Sequence, residues 1–156
     1  CEGEPVVLLP GQQQSQVLQG NTTAYKDDYK APIKFDCAAV TQTGGKDRVY
    51  EVVAGANGMV TATVGYDVNG TTNLCEQDGL ISPGCWNYVL YVSGPDTCDS
   101  MTKKLSNTIA CSDKNLFGPE SVTFAVESGK HYYIVIDGYA GYDLGYGSYN
   151  LNLTLQ

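Results

Sequence analysis

Histidine is nearly absent from this chain: His131 is the single one among 156 residues. A triad would have to be built on it. It stands directly after a Gly-Lys pair at the start of an expected strand, where an exposed strand end is the ordinary reading. No C-x-x-C pair occurs, so the zinc-finger and haem-attachment patterns are excluded. G-x-S-x-G, H-E-x-x-H and the phosphate-binding loop are missing as well. Basic residues are few, 9 Lys and Arg against 17 Asp and Glu, for a net charge of −8. The nearest thing to a cluster is Lys103–Lys104, so nucleic acid and anionic membrane surfaces are poor partners. Val6 to Leu9 is the longest apolar run near the start, far below the roughly 20 residues that a spanning helix needs. No apolar-periodic stretch is long enough to predict a helix.

What the chain does contain is alternation. Val122, Phe124 and Val126 alternate with Thr123 and Ala125. Tyr149, Leu151, Leu153 and Leu155 alternate with Asn150, Asn152 and Thr154. Strands with one apolar and one polar face belong to antiparallel sheets packed on a single core. Similar segments are 15–20, 48–54 (RVYEVVA), 59–66 (MVTATVGY), 87–93 (NYVLYVS) and 108–111 (TIAC), with Ala56-Asn57-Gly58 read as a hairpin turn. Eight or nine short strands predict an all-β fold, a two-sheet antiparallel β-sandwich of jelly-roll or Greek-key type. The 18 Gly and 12 Tyr suit its turns and half-buried strands. Residues 15–156 form one expected domain. Residues 1–14 read as an arm, with the strand Val6-Val7-Leu8-Leu9 between Pro5 and Pro10.

The six cysteines are Cys1, Cys37, Cys75, Cys85, Cys98 and Cys111. An even number at loop-sized spacings implies disulfide staples in an oxidising compartment, hence a secreted or cell-surface protein. Local pairs are expected, Cys75 with Cys85 and Cys98 with Cys111. Each would contribute about 2–3 kcal/mol. Cys1 and Cys37 then remain, to pair with each other, to bridge molecules, or with Cys1 lipidated after signal cleavage. A start at Cys1 also fits a trimmed boundary.

The order of motifs resembles the pre-peptidase C-terminal type of β-sandwich domain, in its cysteine-containing bacterial versions. Those motifs are Asp47 with Tyr50; Leu90-Tyr91-Val92; Ala110-Cys111-Ser112-Asp113; Gly129 with Tyr132-Tyr133; and Ser148-Tyr149. The resemblance covers residues 15–156. Asn87 departs from it, standing where Asp is usual, and the loop holding Cys75 and Cys85 is long. The resemblance implies a non-catalytic domain of secreted or surface proteins, some of which bind calcium or extracellular polymers.

Candidate sites follow. Calcium, the one cofactor considered, would draw on loop carboxylates, of which Asp113, Asp137 and Asp143 are the candidates; the ordinary reading makes them turn and cap residues. Tyr139, Tyr142 and Tyr146, set among glycines, are interface candidates, whereas Tyr149 belongs to the core face. Val6, Val7, Leu8 and Leu9 could add to a neighbour's sheet edge, a contact that does not close and builds filaments. The expectation is a non-catalytic structural or adhesive subunit of a bacterial surface assembly, self-associating or joined to another surface protein. The alternatives are an accessory module binding polysaccharide or matrix protein, and a lipid-anchored surface protein. Sequons at Asn21, Asn69 and Asn152 matter only in a host that glycosylates them.

Overall fold

The computed structural model describes residues 3–9, 15–29, 45–66, 76–77, 80–81, 86–99, 101–102, 104–113, 118–138 and 146–156. Among these residues all regular structure is β. The strands are β1 (Glu4–Leu8), β2 (Ser15–Asn21), β3 (Arg48–Ala54), β4 (Gly58–Gly65), β5 (Glu76–Gln77), β6 (Leu80–Ile81), β7 (Tyr88–Ser93), β8 (Cys98–Asp99), β9 (Lys104–Leu105), β10 (Thr108–Ser112), β11 (Glu120–Val126), β12 (His131–Gly138) and β13 (Ser148–Leu155). A first sheet runs β1-β3-β12-β7-β10 and a second runs β11-β4-β13-β2. The small pairs β5-β6 and β8-β9 stand apart from both. The pairing is antiparallel except where β1 lies parallel to β3.

Alternation drives this arrangement. In β11 burial alternates along the whole strand, with Val122, Phe124 and Val126 inward and Ser121, Thr123 and Ala125 outward. Tyr50, Val52, Val60, Ala62, Val64, Leu90, Ile134, Leu151 and Leu153 meet between the sheets and are almost completely buried. Trp86 closes one end of this core, its indole donating from Nε1 to the Ser148 carbonyl at 3.1 Å. A Cβ on Gly147 would collide with that ring, so glycine is what lets the chain pass there.

Two expectations are corrected. Ala56-Asn57-Gly58 does not close a hairpin, because β3 belongs to the first sheet and β4 to the second. It is an arch over the end of the core, needed because the apolar faces of both strands point inward toward each other. The turn at Gly129 (φ 77°) likewise carries β11 to β12 across the sheets. The two arches are tied together: Ser128 N donates to Asn57 Oδ1 at 2.8 Å and Gly129 N to the Ala54 carbonyl at 2.8 Å. The second correction concerns the first sheet, whose central strands β7 and β12 are buried on both faces. All six residues of β7 are inside. Its outer face carries a second apolar cluster of Tyr29, Val49, Val89, Tyr91, Tyr133 and Val135, with Cys98, Leu105 and Cys111 packed against it.

Residues 4–8 form an edge strand of the chain's own first sheet, in register from Glu4 opposite Tyr50 to Leu8 opposite Ala54.

Candidate functional site

The most heavily built polar region lies where β3 begins. Asp47 Oδ2 accepts N–H bonds from Asp28 at 2.9 Å and Tyr29 at 2.6 Å, and its own N–H donates to the Lys26 carbonyl at 3.1 Å. One carboxylate thus fastens the segment 25–29 onto the strand and places Tyr25, Lys26 and Tyr29 there. Asp47 is 3% exposed and Asp137, near the end of β12, is fully buried. Their carboxyls lie within hydrogen-bonding range, which two ionised carboxylates cannot use but a pair sharing one proton can. Burial is the main cause that pushes Asp47 up to about 6, against the pull of Asp137 and of the two backbone donors. The same surroundings raise the Tyr91 hydroxyl well above its ordinary value, first by burial and then by the charges of Asp137 and Asp47.

Next to the pair stands Arg48. Its guanidinium forms an ion pair with Glu4 and lies 5.1 Å from the ring centre of Tyr25 and 5.3 Å from that of Tyr50. Nε is buried without an acceptor. The side chain divides two clefts. One, of about 400 Å³, is lined by Glu4, Tyr25, Lys26, Asp28 and Asp47. The other, of about 510 Å³, is lined by Gln19, Asn21, Ser148 and Asn150 beside Tyr66 and Tyr149. Its amides are held in place: Asn21 Nδ2 donates to Ser148 Oγ at 2.8 Å and Asn150 Nδ2 to the Tyr66 carbonyl at 3.1 Å. Such a region can hold a polar partner and orient it. His131 stands at the other end of β12, about 20 Å from Asp137 at strand rise, and bonds Glu51 through Nδ1 at 2.8 Å.

The residues singled out from sequence divide as follows. Val6 (5% exposed) and Leu8 (0%) point into the chain's own core, so of the four interface candidates on this strand only Val7 and Leu9, each 54% exposed, remain on the surface. Tyr146 is exposed with Lys46 Nζ 4.8 Å from its ring centre. Tyr139, Tyr142 and Asp143 lie outside the described residues, as do Cys1, Cys37, Cys75 and Cys85. Cys98 and Cys111 are both disulfide-bonded. Asp137 is brought to Asp47, and Asp113 follows β10. Sequence reasoning missed Arg48 and used Asp47 only as a motif residue. The signal for Asp47 was there, in the Asp-x-x-Tyr motif and the preceding Asp27-Asp28-Tyr29 run.

No protein-family profile matches the chain, and none of the curated proteins does. Among solved structures, it is similar to the pre-peptidase C-terminal domain of collagenase from Bacillus anthracis. That match has a TM-score of 0.50 and 14% identity, and covers 97% of this chain and 94% of that one. The likeness shows the fold. Looser likenesses join it to PliG of Aeromonas hydrophila, a periplasmic inhibitor of g-type lysozyme (TM-score 0.48, 14% identity, 99% of this chain and 100% of that one). Another is CorA of Methylomicrobium album BG8, a surface-associated copper-binding protein (TM-score 0.46, 8% identity, 99% and 100%). The pre-peptidase C-terminal resemblance read from Asp47, Tyr50, Leu90-Tyr91-Val92 and Tyr132-Tyr133 therefore extends to the three-dimensional fold.

Calcium can be tested against these side chains. Asp47 Oδ1 takes no backbone donor and a second buried carboxyl lies beside it, so calcium there would have to displace the proton the pair shares. Among the described residues no group of three or more His, Cys, Asp or Glu gathers at one point. Two carboxyls do not by themselves make a calcium shell, and the remaining oxygens would have to be backbone carbonyls and water.

Proposed function

We propose that this chain is a non-catalytic adhesive module that works outside the cytoplasm and docks another surface protein, or a second copy of itself, along the edge formed by β1 and β2. The observation that carries this reading is the set of residues exposed there. Tyr25 (43% exposed) stands at the head of β1 with the half-buried Arg48 beside it, Val7 and Leu9 lie at its far end, and Val17 (40%) is on β2. Gln16 Nε2 donates to the Val7 carbonyl at 3.5 Å and brings the two edge strands together. Tyr and Arg are the residue types that dominate binding energy at protein interfaces. An unpaired strand edge adds backbone donors and acceptors. The disulfide-bonded Cys98 and Cys111 support an oxidising compartment. Calcium at Asp47 and Asp137 would clamp the segment that carries Tyr25.

Filament formation by strand exchange is the second reading. The observation favouring it is that β1 joins as a parallel edge strand, so an identical strand from a neighbour could fill its place. Light scattering and electron microscopy of native, non-reduced protein test both. Concentration-dependent assembly that Tyr25→Ala with Arg48→Ala weakens at least tenfold is the expected result. A monodisperse 16.7 kDa particle that captures no surface protein would sink the reading.

A further inference from the structure

The outward face of the second sheet is built of hydroxyl and amide side chains. Its centre is a grid. Thr123, Thr61 and Thr154 lie side by side across β11, β4 and β13, and Ser121, Thr63 and Asn152 form the next row. Neighbours within a row are about 4.8 Å apart and the rows about 6.7 Å apart, from strand spacing and twice the strand rise. The hydroxyls are linked along the rows, Thr61 Oγ1 to Thr123 Oγ1 at 3.0 Å and Thr63 Oγ1 to Ser121 Oγ at 2.8 Å.

Charge is missing from this plane. Beyond the grid its outward positions are Ala125 and Met59 at one end and Val17 and Gln19 on β2, while Gly65 and Asn150 at the other end are buried. Yet 17% of the chain is charged and the net charge is −8, so the charge lies elsewhere on the molecule. A hydroxyl is one donor and two acceptors. In each linked pair one donor is used, which leaves a second donor and several lone pairs facing outward. The partner must therefore both donate and accept, repeat at regular intervals, and carry no charge.

We infer that this face is a docking plane for a neutral polysaccharide surface. A protein partner is disfavoured because the grid has none of the aromatic or Arg anchors that concentrate binding energy. An acidic polymer would meet a chain of net charge −8. Without aromatic rings for stacking, each sugar contributes little. Retention comes from many simultaneous contacts, so ordered insoluble polymer binds far better than short soluble oligosaccharides. This site meets the β1–β2 edge only at Val17 and does not depend on Tyr25 or Arg48.

Pull-down of the whole chain on microcrystalline cellulose and on chitin, with alginate gel as the acidic contrast, tests the inference. Retention on a neutral polymer but not on alginate is expected. It should fall at least tenfold in Thr61→Lys with Thr154→Lys, and also in the edge-strand variant Thr123→Asp, while Arg48→Ala retains it. Loss in Arg48→Ala with retention in the threonine variants would move the sugar site to the clefts. No retention on either neutral polymer would overturn the inference and leave the edge-docking reading intact. Ice shaping or thermal hysteresis without polymer retention would overturn it in favour of ordered water.

Discussion

The two sheets share one core but treat their outer faces in opposite ways. On the first, Val89 and Tyr91 of β7 are as buried as Leu90 and Val92 beside them, because Tyr29, Cys98, Leu105 and Cys111 pack over that side. On the second, each outward position of β11 is exposed. Covering one sheet turns it into a middle layer with polar groups trapped at its margin, Asp47 and Asp137 among them. Leaving the other uncovered keeps its outer side chains available. The first sheet carries stability on both faces, whereas the second carries it on one.

The largest effect should come from breaking the cover. Tyr91→Ala empties a buried site on the outer face of the first sheet and should cost about 3–5 kcal/mol in urea unfolding. Thr63→Ala on the second sheet should stay within about 0.5 kcal/mol. Equal costs would erase the distinction between the faces. Reduction of the disulfide-bonded Cys98 and Cys111 should lower stability by about 2–4 kcal/mol, with the fastest hydrogen exchange appearing in β7 and β10 rather than in β4 and β13. Peptide mapping without reduction is expected to link Cys98 to Cys111, and a different partner would revise the staple under that cover.

A smaller effect separates the buried margin from the open face. Asp47 is raised in the folded state to about 6 from an ordinary 3.8, so the native protein holds its proton more tightly than the unfolded chain does. Its contribution is most favourable below about pH 4 and is lost as the pH climbs through 6, by roughly 2–3 kcal/mol in all. Asp47→Asn should flatten that slope in urea titrations between pH 4 and 7. Added calcium should raise the melting temperature at pH 7 in the parent and much less in the variant. A slope unchanged by the substitution would remove Asp47 as its source.

The legible part of this molecule was local. Period-two alternation places strands at 48–54, 108–111 and 122–126, within a residue or two of β3, β10 and β11, and the face of 48–54 and 122–126 follows from it. Sheet membership was not legible, because Ala56-Asn57-Gly58 reads the same whether it turns within a sheet or arches over a core. Double burial of the first sheet was hidden in the same way: Val89 and Tyr91 look like a second apolar face only once Tyr29 and the β8–β9 pair are placed above them. Asp47 and Asp137 are far apart in the chain, and neither neighbourhood announces the other. Arg48 sits among ordinary strand residues, and its cleft is made by Glu4 and Tyr25 from a different part of the chain.

The paired arches have a consequence for how the chain finds its shape. With β3 and β4 in different sheets, and β11 and β12 likewise, none of these strands has its sequence neighbour as a hydrogen-bonding partner. Thr61 meets Thr123 across 62 residues, and Ser128 reaches Asn57 across 71. No short hairpin is on hand to nucleate either sheet here. Long stretches of chain must close first, and their entropy is spent before any ladder repays it. Folding on the millisecond-to-second scale of non-local β-topologies is therefore expected, with the strand edges exposed to other chains in the meantime.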